Sequence, residues 1–363
     1  MRRWKILVVD DEPNNLQVIR QILKNEYELL FAKDGLKAIE LANQYRPDLA
    51  LLDIMMPDMD GYEVCRLLKA NPGTAQIPVI FVTALNDVSD EEEGFNVGAV
   101  DYLSKPVSPA IVKARVRTHL SLYDQNRVLE KAVRARTRQL SMVQDATIFS
   151  LSTLAEYRDN ETGGHILRTQ GYVRALAQRL YDESAYSDQI SEEIIDLLFK
   201  SAPLHDIGKV GVPDALLLKP GKLTPDEFEE MKKHTTYGYE ALKKAEEHMG
   251  GEEAASFLRY AKEIAHTHQE KWDGSGYPQA LSGQNIPLSG RIMALADVYD
   301  ALISKRVYKP PFPHSKAMTI IKEGEGTHFD PVILNAFLEI EQEFIDIALK
   351  NLDCDEERET LLS

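Results

Sequence analysis

After Pro109 the chain runs to Ala155 without a glycine or another proline, in a composition that favours helix throughout. An uninterrupted helix of that length makes a connector, over 108 to 150, between the segments on its two sides. The 363 residues exceed one ordinary core and are expected to form two or three domains. A heptad can be drawn through Leu122, Leu129, Arg136 and Val143, with Asn126, Val133, Leu140 and Thr147 as the alternate positions. The polar Asn126 and Arg136 make the seam imperfect and would fix register in a parallel two-stranded coil. The other reading is an amphipathic helix packed on its own domain. The basic run Arg127, Lys131, Arg134, Arg136 and Arg138 reads as a solvated face, because no aromatic residues interleave.

Before the connector, residues 1 to 120 carry apolar segments Ile6–Val9, Leu49–Leu52, Val79–Val82 and, more weakly, Val100–Leu103, spaced by amphipathic stretches. This is the rhythm of a parallel, doubly wound α/β sheet with crossover helices. Asp10 and Asp11, Asp53, Thr83 and Lys105 come after the successive strands. In such a sheet these strand ends share one edge, where ligand sites form. Three carboxylates brought together repel one another, and Mg2+ is the natural compensation. Thr83 and Lys105 can then hold phosphoryl oxygens around Asp53, acting as a carboxylate nucleophile.

After the connector, residues 146 to 350 read as an all-α bundle, with a short tail over 351 to 363. Candidate helices are 146–157, 165–185, 190–204, 225–233, 237–248, 252–266, 289–304, 315–324 and 331–352, separated by Pro- and Gly-rich turns. Imidazoles and carboxylates cluster at their ends: Glu161 and His165, His205 and Asp206, His234, His268 and Asp297. Glu161 and His165 are four apart and share one face if the helix begins by Glu161. Asp206 can bridge two cations, since a carboxylate has two oxygens and an imidazole one available lone pair. Nitrogen and oxygen ligands without thiolate suit Fe, Mn, Zn, Ni or Co and do not select among them. Lone histidines are usually core or surface residues, which is the reading for His119, His248, His314 and His328.

Composition narrows the function classes. The net charge of −16 opposes non-specific attraction to long nucleic acid, so no DNA partner is expected. No apolar run approaches the roughly 20 residues of a membrane span, and the Met1-Arg-Arg-Trp-Lys start lacks a secretory signal, so a cytoplasmic protein is expected. Only Cys65 and Cys354 occur, far apart and without a Cys-x-x-Cys, so neither a disulfide framework nor a cysteine metal site is indicated.

The segment 1 to 120, including Asp53-Ile-Met-Met-Pro57-Asp-Met-Asp-Gly61, resembles a response-regulator receiver domain. The resemblance implies a flavodoxin-like fold, Asp53 as phosphoacceptor, Asp11 and Asp53 with the Met55 carbonyl as metal ligands, and Asp10 assisting. It also implies Thr83 and Lys105 at the phosphoryl group, Tyr102 as a switch aromatic, and a cognate sensor histidine kinase. Residues 146 to about 350 resemble the HD-GYP branch of the HD metal-dependent phosphohydrolases. The motifs are Glu161-Thr-Gly-Gly-His165, His205-Asp-Ile-Gly-Lys209, His234-Thr-Thr-Tyr-Gly238, His268 through Pro278, and Asp297-Val-Tyr-Asp-Ala-Leu302 leading to Arg306-Val-Tyr308.

That resemblance implies metal-activated hydrolysis of cyclic di-GMP to the linear dinucleotide, and in some members GMP. Within it, Asp206 and Lys209 are the expected catalytic residues, and Lys209, Arg306, Tyr277 and Asp300 the expected substrate contacts, with Asp300 alternatively orienting a ligand or capping its helix. Gln269 stands where the family's fuller motif has a second histidine, so two transition-metal ions are expected and not three. His266 is turned away from His268 by helical spacing. A homodimer through the receiver or connector is expected. Two other readings stay open: hydrolysis of a different nucleotide, and a catalytically weak binding module.

Overall fold

The computed structural model describes residues 3–84, 94–158, 163–183, 186–249, 252–305, 310–352 and 354–362. Two compact units emerge, Met1–Gln139 and Leu140–Ser363.

The first is a five-stranded parallel sheet of order β2-β1-β3-β4-β5, with β1 Lys5–Val9, β2 Glu28–Ala32, β3 Leu49–Asp53, β4 Val79–Thr83 and β5 Asp101–Ser104. β1, β3 and β4 are buried almost throughout, as continuous apolar runs covered on both faces must be. Their side chains alternate between two cores. Leu7, Val9, Leu52 and Phe81 pack with residues of α2 (Gly35–Tyr45) and α3 (Gly61–Ala70). Ile6, Val8, Leu51 and Val82 pack with Leu16, Ile19 and Leu23 of α1 (Pro13–Leu23) and with Val112, Val116 and Leu120. Those last three open α4, a single helix from Pro109 to Glu156. Asp34 and Asp60 cap α2 and α3 by accepting from the Lys37 and Glu63 amides. β2 is absent from the sequence expectation. It is a half-exposed edge strand, although Leu29-Leu-Phe-Ala32 is an apolar run like those of the central strands.

The second unit is helical among its described residues. After the end of α4 come α5 (Gly163–Glu183), α6 (Glu192–Ser201), short 3-10 turns at Ala202–Leu204 and Ile207–Gly211, α7 (Asp214–Leu217), α8 (Pro225–Lys232), α9 (His234–Met249) and α10 (Glu252–Thr267). The remaining helices are α11 (Leu288–Ile303), α12 (His314–Glu323), α13 (Pro331–Glu339), α14 (Glu341–Lys350) and α15 (Asp355–Leu361). α11 is buried around most of its circumference and packs against the core that holds Tyr172, Phe337 and Phe344. Two expectations are corrected. The helix expected over 331–352 breaks at Ile340, whose φ of −115° ends α13 so that Phe344 can turn into the core. The expected tail carries α15, because Leu361 is buried in that core and Glu357 accepts a hydrogen bond from the Lys305 amide at 2.8 Å.

Candidate metal centre

Two ligand clusters lie side by side in the helical unit. His165, His205 and Asp297 form one and Asp206, His234 and His268 the other, the ligand atoms of each lying within 4.8 Å of one another. The local fold explains the convergence. His205 and Asp206 sit between the two 3-10 turns, where neighbours in sequence can point to one centre. His234 begins α9, His268 comes just after α10, His165 is in the first turn of α5, and Asp297 is on α11. Gly208 closes the arrangement: a Cβ there would stand 1.9 Å from the His234 carbonyl oxygen, so only glycine lets the turn after Asp206 meet the start of α9.

Asp206 links the clusters. Its Oδ2 is 3.4 Å from His205 Nε2, and its Oδ1 is 3.4 Å from both His234 Nε2 and His268 Nε2. His165 Nε2 and His205 Nε2 are 3.4 Å apart, and Asp297 Oδ1 is 4.0 Å from His205 Nε2. All four imidazoles are turned the same way. Nδ1 of His205, His234 and His268 lies 3.0, 2.8 and 3.0 Å from the carbonyls of Ala202, Met231 and Ile264, and His165 Nδ1 lies 2.8 Å from Asp300 Oδ2. Those partners only accept, so Nδ1 carries a proton and each ring presents its Nε2 inward. Asp206 Oδ1 is buried without a hydrogen-bond donor. Lone pairs facing one another around a buried carboxylate oxygen suit divalent cations, and the donor set fits first-row transition metals.

Electrostatics agree. Burial works against the charged form of Asp206, but Lys209 and then His205 hold its carboxyl well below the usual range; Lys209 Nζ is 2.8 Å from Oδ2. Burial pushes His234 down to about 4, leaving it neutral and able to ligate near pH 7. Burial also disfavours charged His205, yet the Asp206 and Asp297 charges raise it, the response of a lone pair facing anions.

The remaining site residues divide. Tyr277 stands beside the second cluster, its ring 6.3 Å from that of His234 and 5.5 Å from the Lys232 ammonium, and burial raises its hydroxyl so that it stays neutral. Asp300, expected either among the substrate contacts or as the orienter of a ligand, stands in the second position. It is 1% exposed and accepts from Arg168 Nε at 2.7 Å and Nη2 at 3.0 Å besides meeting His165. Arg168 was not among the expected residues; its only sequence signal is a position one turn after His165. His266 faces away, stacked on Tyr239 at 4.4 Å. Glu161 and Arg306 lie outside the described residues. Glu270 is a further residue that sequence reasoning missed. Its buried carboxylate accepts from the Gln279 and Leu281 amides at 2.7 and 3.1 Å and pins the Gly-Tyr-Pro loop. Gly276 lets that loop pass, since a Cβ there would lie 2.3 Å from the Lys271 nitrogen.

In the first unit Asp10, Asp11 and Asp53 form a third candidate cation cluster. Lys105 Nζ lies 2.9 Å from Asp10 and 2.8 Å from Asp53, and the buried Thr83 ends β4 beside them. Burial raises Asp53 above the ordinary carboxylate range, opposed by Lys105 and by the Met55 amide.

The HD domain family matches residues 149–333 and the response regulator receiver family residues 6–117. A Vibrio cholerae protein named a probable cyclic di-GMP phosphodiesterase is 54% identical over 355 residues, 96% of this chain and 80% of that one. The chain belongs to the HD-domain response-regulator family. Two further relatives align with this HD-domain response regulator over most of their own length. A Thermotoga maritima cyclic di-GMP phosphodiesterase is 36% identical over 96% of this chain and 94% of its own. The Xanthomonas campestris cyclic di-GMP phosphodiesterase response regulator RpfG is 35% identical over 92% and 86%. HD domains are metal-dependent hydrolases, in keeping with the two clusters of this HD-domain response regulator. Among its described residues no helix is long and apolar enough to cross a membrane.

Proposed function

We propose that this protein is a response regulator whose HD domain hydrolyses cyclic di-GMP to the linear dinucleotide, under control of phosphorylation at Asp53. The observation that carries the chemistry is Asp206, which offers one oxygen to each of two adjacent histidine clusters. The substrate assignment draws on relatives named for cyclic di-GMP that align over most of their own length.

His165, His205 and Asp297 would hold one divalent transition-metal ion and His234 and His268 a second, with Asp206 shared. When bound, such a pair supplies Lewis acidity toward a phosphate oxygen and an activated water. Asp206 fixes the spacing of the pair, and Asp300 with the backbone carbonyls fixes the imidazoles. Lys209, 2.8 Å from Asp206, brings positive charge to the place where a phosphodiester would bind. Tyr277 forms a wall for base or ribose. Arg306 and Glu161 keep the roles their motifs suggest, phosphate fork and metal carboxylate.

In the receiver, Mg2+ would lie between Asp10, Asp11 and Asp53 with the Met55 carbonyl, Thr83 and Lys105 would receive the phosphoryl oxygens, and Tyr102 would be the switch aromatic. A cognate histidine kinase is the phosphoryl source. Leu122, Leu129, Val133, Leu140 and Val143 are exposed along α4 in the heptad positions, which supports a two-stranded parallel coil with a second copy. Product chromatography after incubation with cyclic di-GMP and each of Mn, Fe, Co, Ni and Zn tests the activity. Linear dinucleotide is the expected product, and turnover of another nucleotide alone would overturn the substrate assignment.

A further inference from the structure

We infer that Glu156, the last residue of α4, is a further carboxylate ligand of the metal centre, on the His165 side. The inference rests on the two-cation function proposed for this site and adds to it a residue that none of the sequence motifs contains.

Glu156 is 3% exposed, and its Oε1 lies 3.9 Å from His165 Nε2. That nitrogen is the one facing the centre, since Nδ1 of the same ring is taken by Asp300. Two ligands of one first-row ion, each about 2.0–2.2 Å from it, stand at most roughly 4.3 Å apart. Glu156 stands outside the tight His165, His205 and Asp297 cluster, but its separation from His165 permits one cation to meet both side chains.

Charge and helix geometry point the same way. The described ligand clusters bring two carboxylates, Asp206 and Asp297, to a space meant for two divalent cations and already containing Lys209. Beyond these and the Glu161 carboxylate that its motif suggests, a further buried carboxylate reduces the remaining excess of positive charge. Glu156 also ends a 48-residue helix, so it sits at the negative end of the helix dipole, where a buried carboxylate is favoured only beside positive charge. One turn earlier on the same face, Ser152 is 1% exposed and its hydroxyl has no hydrogen-bond partner among the described residues. The last turn of α4 thus turns polar groups inward at the point where its sequence otherwise reads as connector.

The test is metal binding by the full-length protein. Apo wild type and Glu156→Gln are loaded with Co2+ by equilibrium dialysis, and stoichiometry, affinity and the visible d–d spectrum are recorded, with far-ultraviolet circular dichroism as the fold control. For Glu156→Gln we expect one of the two ions to bind at least tenfold more weakly and the spectrum to change. Wild-type affinity, stoichiometry and spectrum in the variant would overturn the assignment and leave Glu156 as a buried neighbour of His165. Should Glu156→Gln not fold, Glu156→Asp decides: its carboxylate is one methylene shorter, so a shifted spectrum is expected and an unchanged one overturns the inference. A wild type that binds no metal contradicts the two-cation function itself, which separates the two failures.

Discussion

Asp300 Oδ2 lies 2.8 Å from His165 Nδ1, and the same carboxylate receives two hydrogen bonds from the buried Arg168. The pair decides which imidazole nitrogen faces the metal centre, and Arg168 keeps Asp300 ionised at full burial, well below the usual carboxylate range. Asp300→Asn leaves Arg168 short of its countercharge and weakens the orientation of His165. Loss of one partner of a buried pair costs about 3–5 kcal/mol, and loss of such support for a ligand weakens metal binding about 10–100-fold. Urea unfolding of the apo protein and competition with a chelator measure the two effects separately.

Gly208→Ala attacks the same centre through the backbone. The new methyl would fall 1.9 Å from the His234 carbonyl and 2.4 Å from the Gly238 nitrogen, neither of which can rotate away. Overpacking of this kind costs about 1–3 kcal/mol. It also moves His234 relative to Asp206, so metal analysis is expected to show loss of the second-cluster ion.

Glu270→Gln separates the substrate wall from the metals. Glutamine presents an NH2 group to one of the two backbone amides that the carboxylate now satisfies, setting donor against donor. Each lost charge-assisted bond is worth about 1.5–3 kcal/mol. The expected result is a raised KM for cyclic di-GMP with metal content unchanged.

His328, which is not itself a metal ligand, gives a pH prediction. Burial, helped by Lys271 and opposed by the Asp273 and Asp297 charges, lowers it from 6.5 to about 4. The unfolded chain therefore binds a proton that the folded chain refuses between those values. Stability is fully present above pH 6.5 and is lost as pH falls toward 4, with a slope of at most about 1.4 kcal/mol per pH unit from this residue. Chemical denaturation of His328→Gln at about pH 7, 6, 5 and 4 should show a shallower decline than wild type.

Phosphorylation is tested at Asp53. Its carboxylate is 2.8 Å from Lys105 and ends β3 in the acidic cluster. With a small-molecule phosphodonor the wild-type phosphodiesterase rate is expected to change and that of Asp53→Ala to stay constant. An equal response in both proteins removes control through Asp53.

Much of this was legible in the sequence because it rests on short-range pattern. Central strands buried on both faces read as apolar runs, and His-Asp with Gly-Lys close behind it betrays a turn where neighbours converge. The features that escaped depend on partners distant in the chain. Arg168 looks like one more basic residue on an amphipathic helix until Asp300, 132 positions later, is placed beside it. Glu156 reads as the end of a connector, and Glu270 as part of a motif whose backbone partners lie nine and eleven residues ahead.

The most direct test of the central claim combines metal analysis with product chromatography on wild type and Asp206→Asn. If one carboxylate joins two cations that hydrolyse cyclic di-GMP, the wild type carries two transition-metal ions per chain and yields the linear dinucleotide. Asp206→Asn then loses metal and product together. Wild-type metal content and turnover in Asp206→Asn, or no product from the wild type with any of the five metals, would contradict it.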